Sequence, residues 1–413
     1  MKIDSVILAE DRNSDNFYPF SIMHCVWEIR VGAFMLFEKA ENYFPDSKIS
    51  FSGRKEHLDS FKKRYNKWHQ SELKGSVLLV RASVIPDINL REVGINCHGE
   101  LPIKLMLANE CVGIICDSIS LDFKENKLFE DYLEDFAEST IIHSEVLLTT
   151  LNYLWDTLDI VGNQIELDKA YFPLYRPFIK SHYEGVYGLE KEEIYIGENV
   201  KIAPGVIIDA TEGAVIISDN VMIMPNSVII GPCFIGANSV IKIGAKIYEN
   251  CAIGNNCKIG GELENSIIQS YSNKQHEGFI GHSFLGEWVN LGADTNNSDL
   301  KNTYENITVN LNGKTIKTER MFLGLLCGDH TKSGINTMFT TGTIAGICGL
   351  LVREWFLPNF IPSFSWGGGQ KSPIYHLEKA IKTVNTVMAR RGKELLDEER
   401  VLLEMEYHRV KEQ

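Results

Sequence analysis

The sequence predicts an α/β domain followed by a left-handed parallel β-helix of hexapeptide repeats and C-terminal α-helices. Three observations carry that expectation. Isoleucine recurs every sixth residue through the middle of the chain, strand-like and helix-like runs alternate before it, and apolar residues at helical spacing follow it. The 413 residues suit two or three domains, and 44% hydrophobic with 23% charged content is that of a soluble globular chain.

Residues 1 to about 185 alternate apolar runs (Val6–Leu8, Ile49–Phe51, Val77–Val80, Val112–Ile115) with helical stretches at Val31–Ala40 and His57–Trp68. That alternation is α/β order. From Ile217 the isoleucines fall at Ile223, Ile229, Ile235, Ile241, Ile247, Ile253 and Ile259, each followed at i+4 by a mostly small residue such as Ser227, Cys233, Ser239, Ala245, Cys251 or Cys257. An aliphatic residue with a small one four places on marks a β-helix, the first filling the interior and the second turning the corner. Upstream the pattern runs through Ile196, Ile202 and Ile208, then slips by three residues at Thr211–Gly213, which predicts a small bulge. It lapses from Ser266 to Gly278, predicting an extruded loop, and resumes at Phe279, Leu285 and Leu291. Beyond Ser372, Leu377, Ala380, Ile381, Val384, Leu395, Leu402 and Leu403 stand at helical spacing, and Gly392 divides them into two helices. The expected domains are therefore 1–185, 186–369 and 370–413, and a trimer is the usual way such a β-helix covers its sides, with ligands in the clefts between subunits.

A net charge of −14, from 41 basic and 55 acidic residues, argues against a nucleic-acid partner. Nine cysteines without paired CxxC sets indicate neither a disulfide framework nor a zinc ribbon, and no uncharged run is long enough to span a bilayer. A cytoplasmic protein without a membrane partner is expected.

The segment around 264–304 crowds together Lys274, His276, His282, Asp294, Asn296, Asn297, Asp299 and Lys301. A histidine here suits a general base near neutral pH, lysines suit a phosphate, and an amide can polarise a thioester carbonyl. His276 is the candidate base for direct acyl transfer from a bound donor.

The run NKQHEGFIGHSFLGEWVNLGADTNNSDLKN, then GDHTKSGINTMFTTGT, then FIPSFSWGG, resembles a bacterial family of sugar nucleotidyltransferases. In its β-helix half that family is similar to the bifunctional N-acetylglucosamine-1-phosphate uridylyltransferase and glucosamine-1-phosphate acetyltransferase. The resemblance implies a nucleotidyltransferase-like first domain, an acetyl-CoA-dependent acyltransferase β-helix, a sugar phosphate and a nucleoside triphosphate as small-molecule substrates, a homotrimer, Mg²⁺ for nucleotidyl transfer, and a place in cell-wall or surface glycan supply. The relatives' H-x-x-Y-x-G-D pattern falls on His276, Phe279, Gly281 and His282, so the base is kept while a tyrosine and an aspartate are replaced. By the same resemblance Lys242, Lys274, Phe279, His282, Asn290 and Asn297 meet the substrate, with Lys242 standing for a phosphate-holding arginine. Gly292, Ala293, Asn336 and Thr337 flank the acetyl donor, and Gly328–Asp329–His330 lines its groove.

The first domain departs further from the pattern. Glu10, Asp11 and Arg12 follow the first strand where a Gly-rich phosphate loop is usual, and Met23–His24–Cys25 stands where Thr-Arg-Pro is expected. Arg12 and Arg30 are the remaining nucleotide-binding candidates, and the strand ending at Val80 is followed by Arg81 instead of a metal-binding aspartate. Two other readings remain open: a trimeric scaffold that senses a nucleotide without turning it over, and a zinc-dependent carbonic anhydrase built on His276, His282 and His330.

Overall fold

The computed structural model describes residues 2–66, 73–97, 101–137, 140–143, 148–172, 175–178, 183–352, 355–369 and 372–412. Strands β1 (Ser5–Ala9), β2 (Lys48–Ser52), β3 (Ser76–Arg81), β4 (Ile103–Leu107), β5 (Glu110–Asp117) and β6 (Thr140–His143) form one mixed sheet in the order β2-β1-β3-β5-β4-β6. β1 pairs parallel with β2 and β3, so the chain reverses its direction of travel between β1 and β3. Helices α1 (Leu36–Tyr43), α2 (Lys55–Arg64), α3 (Ile88–Asn96), α4 (Phe129–Asp135) and α5 (Thr157–Asp168) accompany the sheet. The helix expected from Val31 begins only at Leu36, because Arg30–Val31 and Phe34–Met35 pair first as a short hairpin. The second helix ends at Arg64, and Trp68 lies outside the described residues.

The hexapeptide region is a parallel β-helix with three faces. On the first, the inward side chains Ile196, Ile217, Ile235, Ile253, Ile268, Leu285, Cys327, Ala345 and Ile361 stand one above another in strand register. Asn199, Asn220, Asn226, Asn238, Asn250 and Asn256 turn its corners at φ between 55° and 61°, the left-handed region that asparagine tolerates better than other side chains. The small i+4 residues are buried. Ser239 Oγ donates to the Gly254 carbonyl and accepts from the Cys257 amide, closing bonds between coils that a corner would leave open. Cys233, Cys251 and Cys257 are buried free thiols, and Thr211–Gly213 forms the expected bulge, its end tied to α5 by a bond from the Ala214 amide to Glu166.

The loop expected at Ser266–Gly278 is not there. Ile267–Ile268 and Asn273–Lys274 are ordinary coil strands, paired with Ala252–Ile253 and Lys258–Ile259. The inward positions run Ile259, Leu263, Ile268, Lys274, Ile280, Leu285, all buried. Shortened corners break the six-residue count while the coil continues. Ile280 is therefore the inward residue, and Phe279 points outward. The true excursion spans 299–324, where Thr308–Leu311 and Lys314–Lys317 pair as an antiparallel hairpin whose Ile307, Val309 and Leu311 are buried.

The outward residues of the first face are apolar. Ile216, Phe234, Ala252, Ile267, Phe284, Leu326 and Ile344 share one hydrophobic core with Phe20, Val26, Trp27, Leu158 and the rest of the N-terminal domain. The two parts are thus one packed body. Gly162 of α5 lies against Asn250, where a Cβ would stand 2.0 Å from the asparagine Oδ1. The C-terminal α6 (Leu377–Ala389) and α7 (Asp397–Glu412) cover another corner, along which Tyr271 stacks on Trp288 at 4.2 Å and Trp288 faces His330 at 6.1 Å. Phe364 is buried edge-on to Tyr407 of α7, and Trp366 meets Tyr375 while staying half exposed. Among the described residues, no helix is long and apolar enough to cross a membrane.

Phe284 is fully buried between the β-helix and Phe20, whose ring it meets edge-on at 5.6 Å. Phe284→Ala is expected to cost about 3–5 kcal/mol, the usual range for a truncated core aromatic, read by denaturant unfolding. The same change at exposed Tyr304 should cost less than about 0.5 kcal/mol.

Candidate functional site

Most of the expected acyl-transfer residues lie along one edge of the β-helix, where its third face (Lys201–Ile202 to Asn273–Lys274) turns into its second (Tyr187–Leu189 to Phe279–Gly281). The edge is built by stacking. The Lys242 amide donates to the Ile259 carbonyl, Gly260 to Lys274, Leu291 to Asn273, and Gly334 to Leu351. These bonds align Lys242, Gly260, Gln275, Gly292 and Gly334 in successive coils. His276, Ala293 and Ile335 follow one residue later. A spacing of about 4.8 Å between coils puts Lys242 roughly 10 Å along the axis from His276. Gly292 is required here: a Cβ would stand 2.2 Å from the Gly334 carbonyl oxygen. The Asn336 amide donates to the Ala293 carbonyl, and Thr337 Oγ1 to that of Gly334. Gly292, Ala293, Asn336 and Thr337 therefore form one short stretch of edge beside exposed His276. Asn290 lies on the adjoining face, bridged to Asn273 and Lys332.

Two sequence expectations fail by burial. Lys274 occupies an inward position of the coil stack, is 2% exposed, and donates from Nζ to the His276 carbonyl at 2.7 Å. Loss of hydration pushes its ammonium down to about 8. It props the histidine's backbone and offers nothing to a phosphate in solvent. Asn297 is also inward; its Oδ1 accepts from the Gly281 amide and its Nδ2 donates to the Gly281 carbonyl, both at 3.0 Å. Its amide closes the coil and, at 4% exposure, is kept from a substrate in solvent.

Phe279 sits on the second face, and His282 on a different corner, where Nδ1 meets Asp299 at 2.8 Å and the ring stacks on Phe322. His282 lines a hollow with Leu158, Asp159 and Arg320, apart from the His276 edge. Gly328–Asp329–His330 lies at the corner under the C-terminal helices, away from Asn336. His276, His282 and His330 accordingly do not form a metal-ligand group among the described residues, which removes the carbonic anhydrase reading for the chain by itself.

Sequence reasoning missed a cluster of cations at the same edge. Lys258 stands on the third face with Lys242, Arg390 and Arg391 as its charged neighbours; its own burial and these three charges lower its affinity for a proton. Arg391 Nη2 donates to Asn273 Oδ1 at 3.3 Å, which ties the end of α6 to the β-helix. The run Arg390-Arg391-Gly392-Lys393 was visible, but only the docking of α6 brings it to this face.

In the N-terminal domain the carboxyl ends of β1 and β3 flank the switch point, where open α/β sheets bind ligands. Arg12 is exposed there and pairs with Asp131 at 3.5 Å. Arg30 does not reach it: 2% exposed, it donates to the Ala33 carbonyl and lies over the Phe234 ring of the β-helix. The amides near the end of β1 are occupied by a side chain of the domain itself. The buried Glu10 carboxylate accepts from the backbone amides of Val26 and Arg54, both at 3.0 Å, and from the Arg54 guanidinium at 2.8 and 3.0 Å. Burial opposes its ionisation, and Arg54 more than offsets burial and holds it charged. Asp11, raised in pKa by burial, faces Arg81 at 3.6 Å and has the Glu130 carboxylate among its charged neighbours. Mg²⁺ is commonly held by one or two carboxylates together with substrate phosphates, and Asp11 with Glu130 would be the residues to hold it here.

Residues 6–174 match the family model described as sugar nucleotidyl transferase. The match covers the N-terminal domain and stops before the β-helix. Over 113 residues, 27% of this chain and 26% of the relative, the sequence is 33% identical to a protein named bifunctional protein GlmU from Methanococcus vannielii. Over 148 residues, 35% of this chain and 27% of the relative, it is 31% identical to the GlmU of Rippkaea orientalis. A bifunctional sugar-1-phosphate nucleotidylyltransferase/acetyltransferase of Sulfurisphaera tokodaii is 32% identical over 111 residues, 27% of each chain. The aligned part spans about a quarter of the length of these curated relatives.

Replacing Lys274 by Met tests its interior position. A lysine whose folded pKa is depressed binds fewer protons folded than unfolded between about 8 and its ordinary value near 10.4, so it adds stability as pH rises through that window and withholds it below. Lys274→Met should therefore flatten the alkaline rise in melting temperature and gain most over wild type near pH 7.

Proposed function

We propose that the chain is a transferase of sugar-nucleotide supply, in which the β-helix acetylates the amine of an amino-sugar 1-phosphate from acetyl-CoA. The observation that carries this reading is a sugar nucleotidyl transferase domain packed on a β-helix whose one edge combines exposed His276 with four cations. Neutral His276 takes a proton from the sugar amine as its nitrogen attacks the thioester carbonyl. The C–N bond forms, the C–S bond breaks, and the thiolate leaves to be protonated. Lys242 and Lys258 hold the sugar phosphate, and Arg390 and Arg391 suit the phosphates of the donor. Gly292, Ala293, Asn336 and Thr337 line the donor's path, and Asn290 lies beside the acceptor. Phe279 and His282 are off this edge and are left out of the acceptor site. A homotrimer would set a neighbour's face against the edge, which also exposes Ile335 at 72% and Val352 at 69%.

For the N-terminal domain two readings stand. The match of residues 6–174 to the sugar nucleotidyl transferase model favours nucleotidyl transfer to a sugar 1-phosphate, with Arg12 at the switch point. The Glu10 carboxylate on the amides of Val26 and Arg54 favours a domain that binds a nucleotide without turning it over.

Thiol release from acetyl-CoA, measured against a panel of amino-sugar 1-phosphates, tests the first activity. His276→Ala should lower kcat at least about 100-fold, and Lys242→Ala should chiefly raise KM for the phosphorylated acceptor. No thiol release from wild type with any acceptor would refute the acetylation. Pyrophosphate release from a nucleoside triphosphate and a sugar 1-phosphate decides the second question: release supports transfer, and saturable binding without release supports the sensing domain.

A further inference from the structure

We propose that His24, Glu287 and Asp329 hold a first-row divalent cation at the seam between the N-terminal domain and the β-helix. One nitrogen and two carboxylate oxygens from these residues lie within 4.8 Å of one another. They come from the loop after β1 and from two successive coil corners, so the set exists only when the two parts are docked. A cation bonded at about 2.0–2.2 Å would draw the three in by roughly an ångström.

The surroundings are those of a ligand set. His24 Nε2 stands 2.7 Å from Asp329 Oδ2, and its other ring nitrogen faces Glu28 Oε2 at 3.4 Å. A carboxylate behind the far nitrogen fixes the tautomer and raises the basicity of a metal-bound histidine. Glu28 is itself held by two bonds from Arg64, and Phe20 stacks on the imidazole at 4.4 Å. Asp329 Oδ1 accepts from the Glu287 amide at 3.0 Å, fixing its orientation. The Glu287 carboxylate accepts no hydrogen bond from any described residue. Beside it His330, 5% exposed, keeps an Nδ1 without a partner.

The charges are out of balance. Among the described residues Glu28 and Glu399 pair with Arg64, and Glu28 and Asp329 with His24, while Glu287 has no ion pair. A mixed imidazole and carboxylate set suits Mn²⁺, Fe²⁺ or Zn²⁺ better than Mg²⁺ or Ca²⁺. Glu287 and Arg64 also wall a cleft of about 710 Å³ with Lys63, Tyr271, Trp288 and Lys393, through which the site is reached.

Isothermal titration of the chelator-treated full chain with Mn²⁺ alone and with Zn²⁺ alone tests the site. Wild type should take up one equivalent per chain and melt at a higher temperature with the metal bound. Glu287→Gln, which removes a carboxylate with no hydrogen bond to lose, should fold as wild type, bind at least about 10-fold more weakly and lose the thermal upshift. His24→Gln should bind no equivalent at all. No stoichiometric uptake of either metal by wild type, or uptake unchanged in Glu287→Gln, would overturn the proposal.

Discussion

The outward side of the first β-helix face is the constraint on which the rest of the structure depends. A hexapeptide coil buries its inward aliphatic residues whatever stands beside it. Here the neighbouring outward positions are apolar too, and Ile216, Phe234, Ile267, Phe284 and Leu326 are buried only because the N-terminal domain covers them. That burial fixes how the two parts are oriented. It places α5 against Asn250, brings Arg320 of the 299–324 excursion to Asp156 and Asp159, and closes the seam that joins His24 to Asp329.

Within the stack, Lys274 and Asn297 are polar side chains where the repeat calls for aliphatic ones, and each bonds to backbone. Lys274 reaches the His276 carbonyl and Asn297 pairs with both peptide groups of Gly281. A buried donor or acceptor left unmade would cost about 1–3 kcal/mol, so an inward polar residue must find such a partner. The result at Lys274 is a rigid support beneath an exposed histidine. The broken repeat in this stretch thus combines shortened corners with a polar residue at an inward position.

The N-terminal domain shows the same economy in its signature loop. Glu10 turns its carboxylate onto the backbone amides of Val26 and Arg54, and the Arg54 guanidinium neutralises it. Arg30, which carries charge in the sequence pattern, is turned into the contact with Phe234. His24, standing where a different motif is expected, becomes the domain's charged link to the β-helix. These three positions tie the domain's departures from the sugar nucleotidyl transferase pattern to its docking.

The six-residue recurrence of isoleucine, the small residues at i+4 and the Asn-rich corners determined the β-helix by themselves, because each is a local demand of a coil with a fixed period. The bulge at Thr211–Gly213 was legible for the same reason. An apolar residue precedes the inward one at Ile216, Phe234 and Ala252 on the covered face, but Ile207, Met222, Val228 and Val240 do the same on the other two. Local sequence therefore does not single out the face that another domain covers. The shortened corners after Ile259 could not be read, since a missing beat looks the same whether the chain leaves the coil or turns more tightly. The edge that groups Lys242, Lys258, His276 and Arg391, and the seam of His24, Glu287 and Asp329, were decided only by tertiary structure. Their members are up to 305 residues apart in the case of His24 and Asp329, and no periodicity within one segment records which distant face will be packed against it.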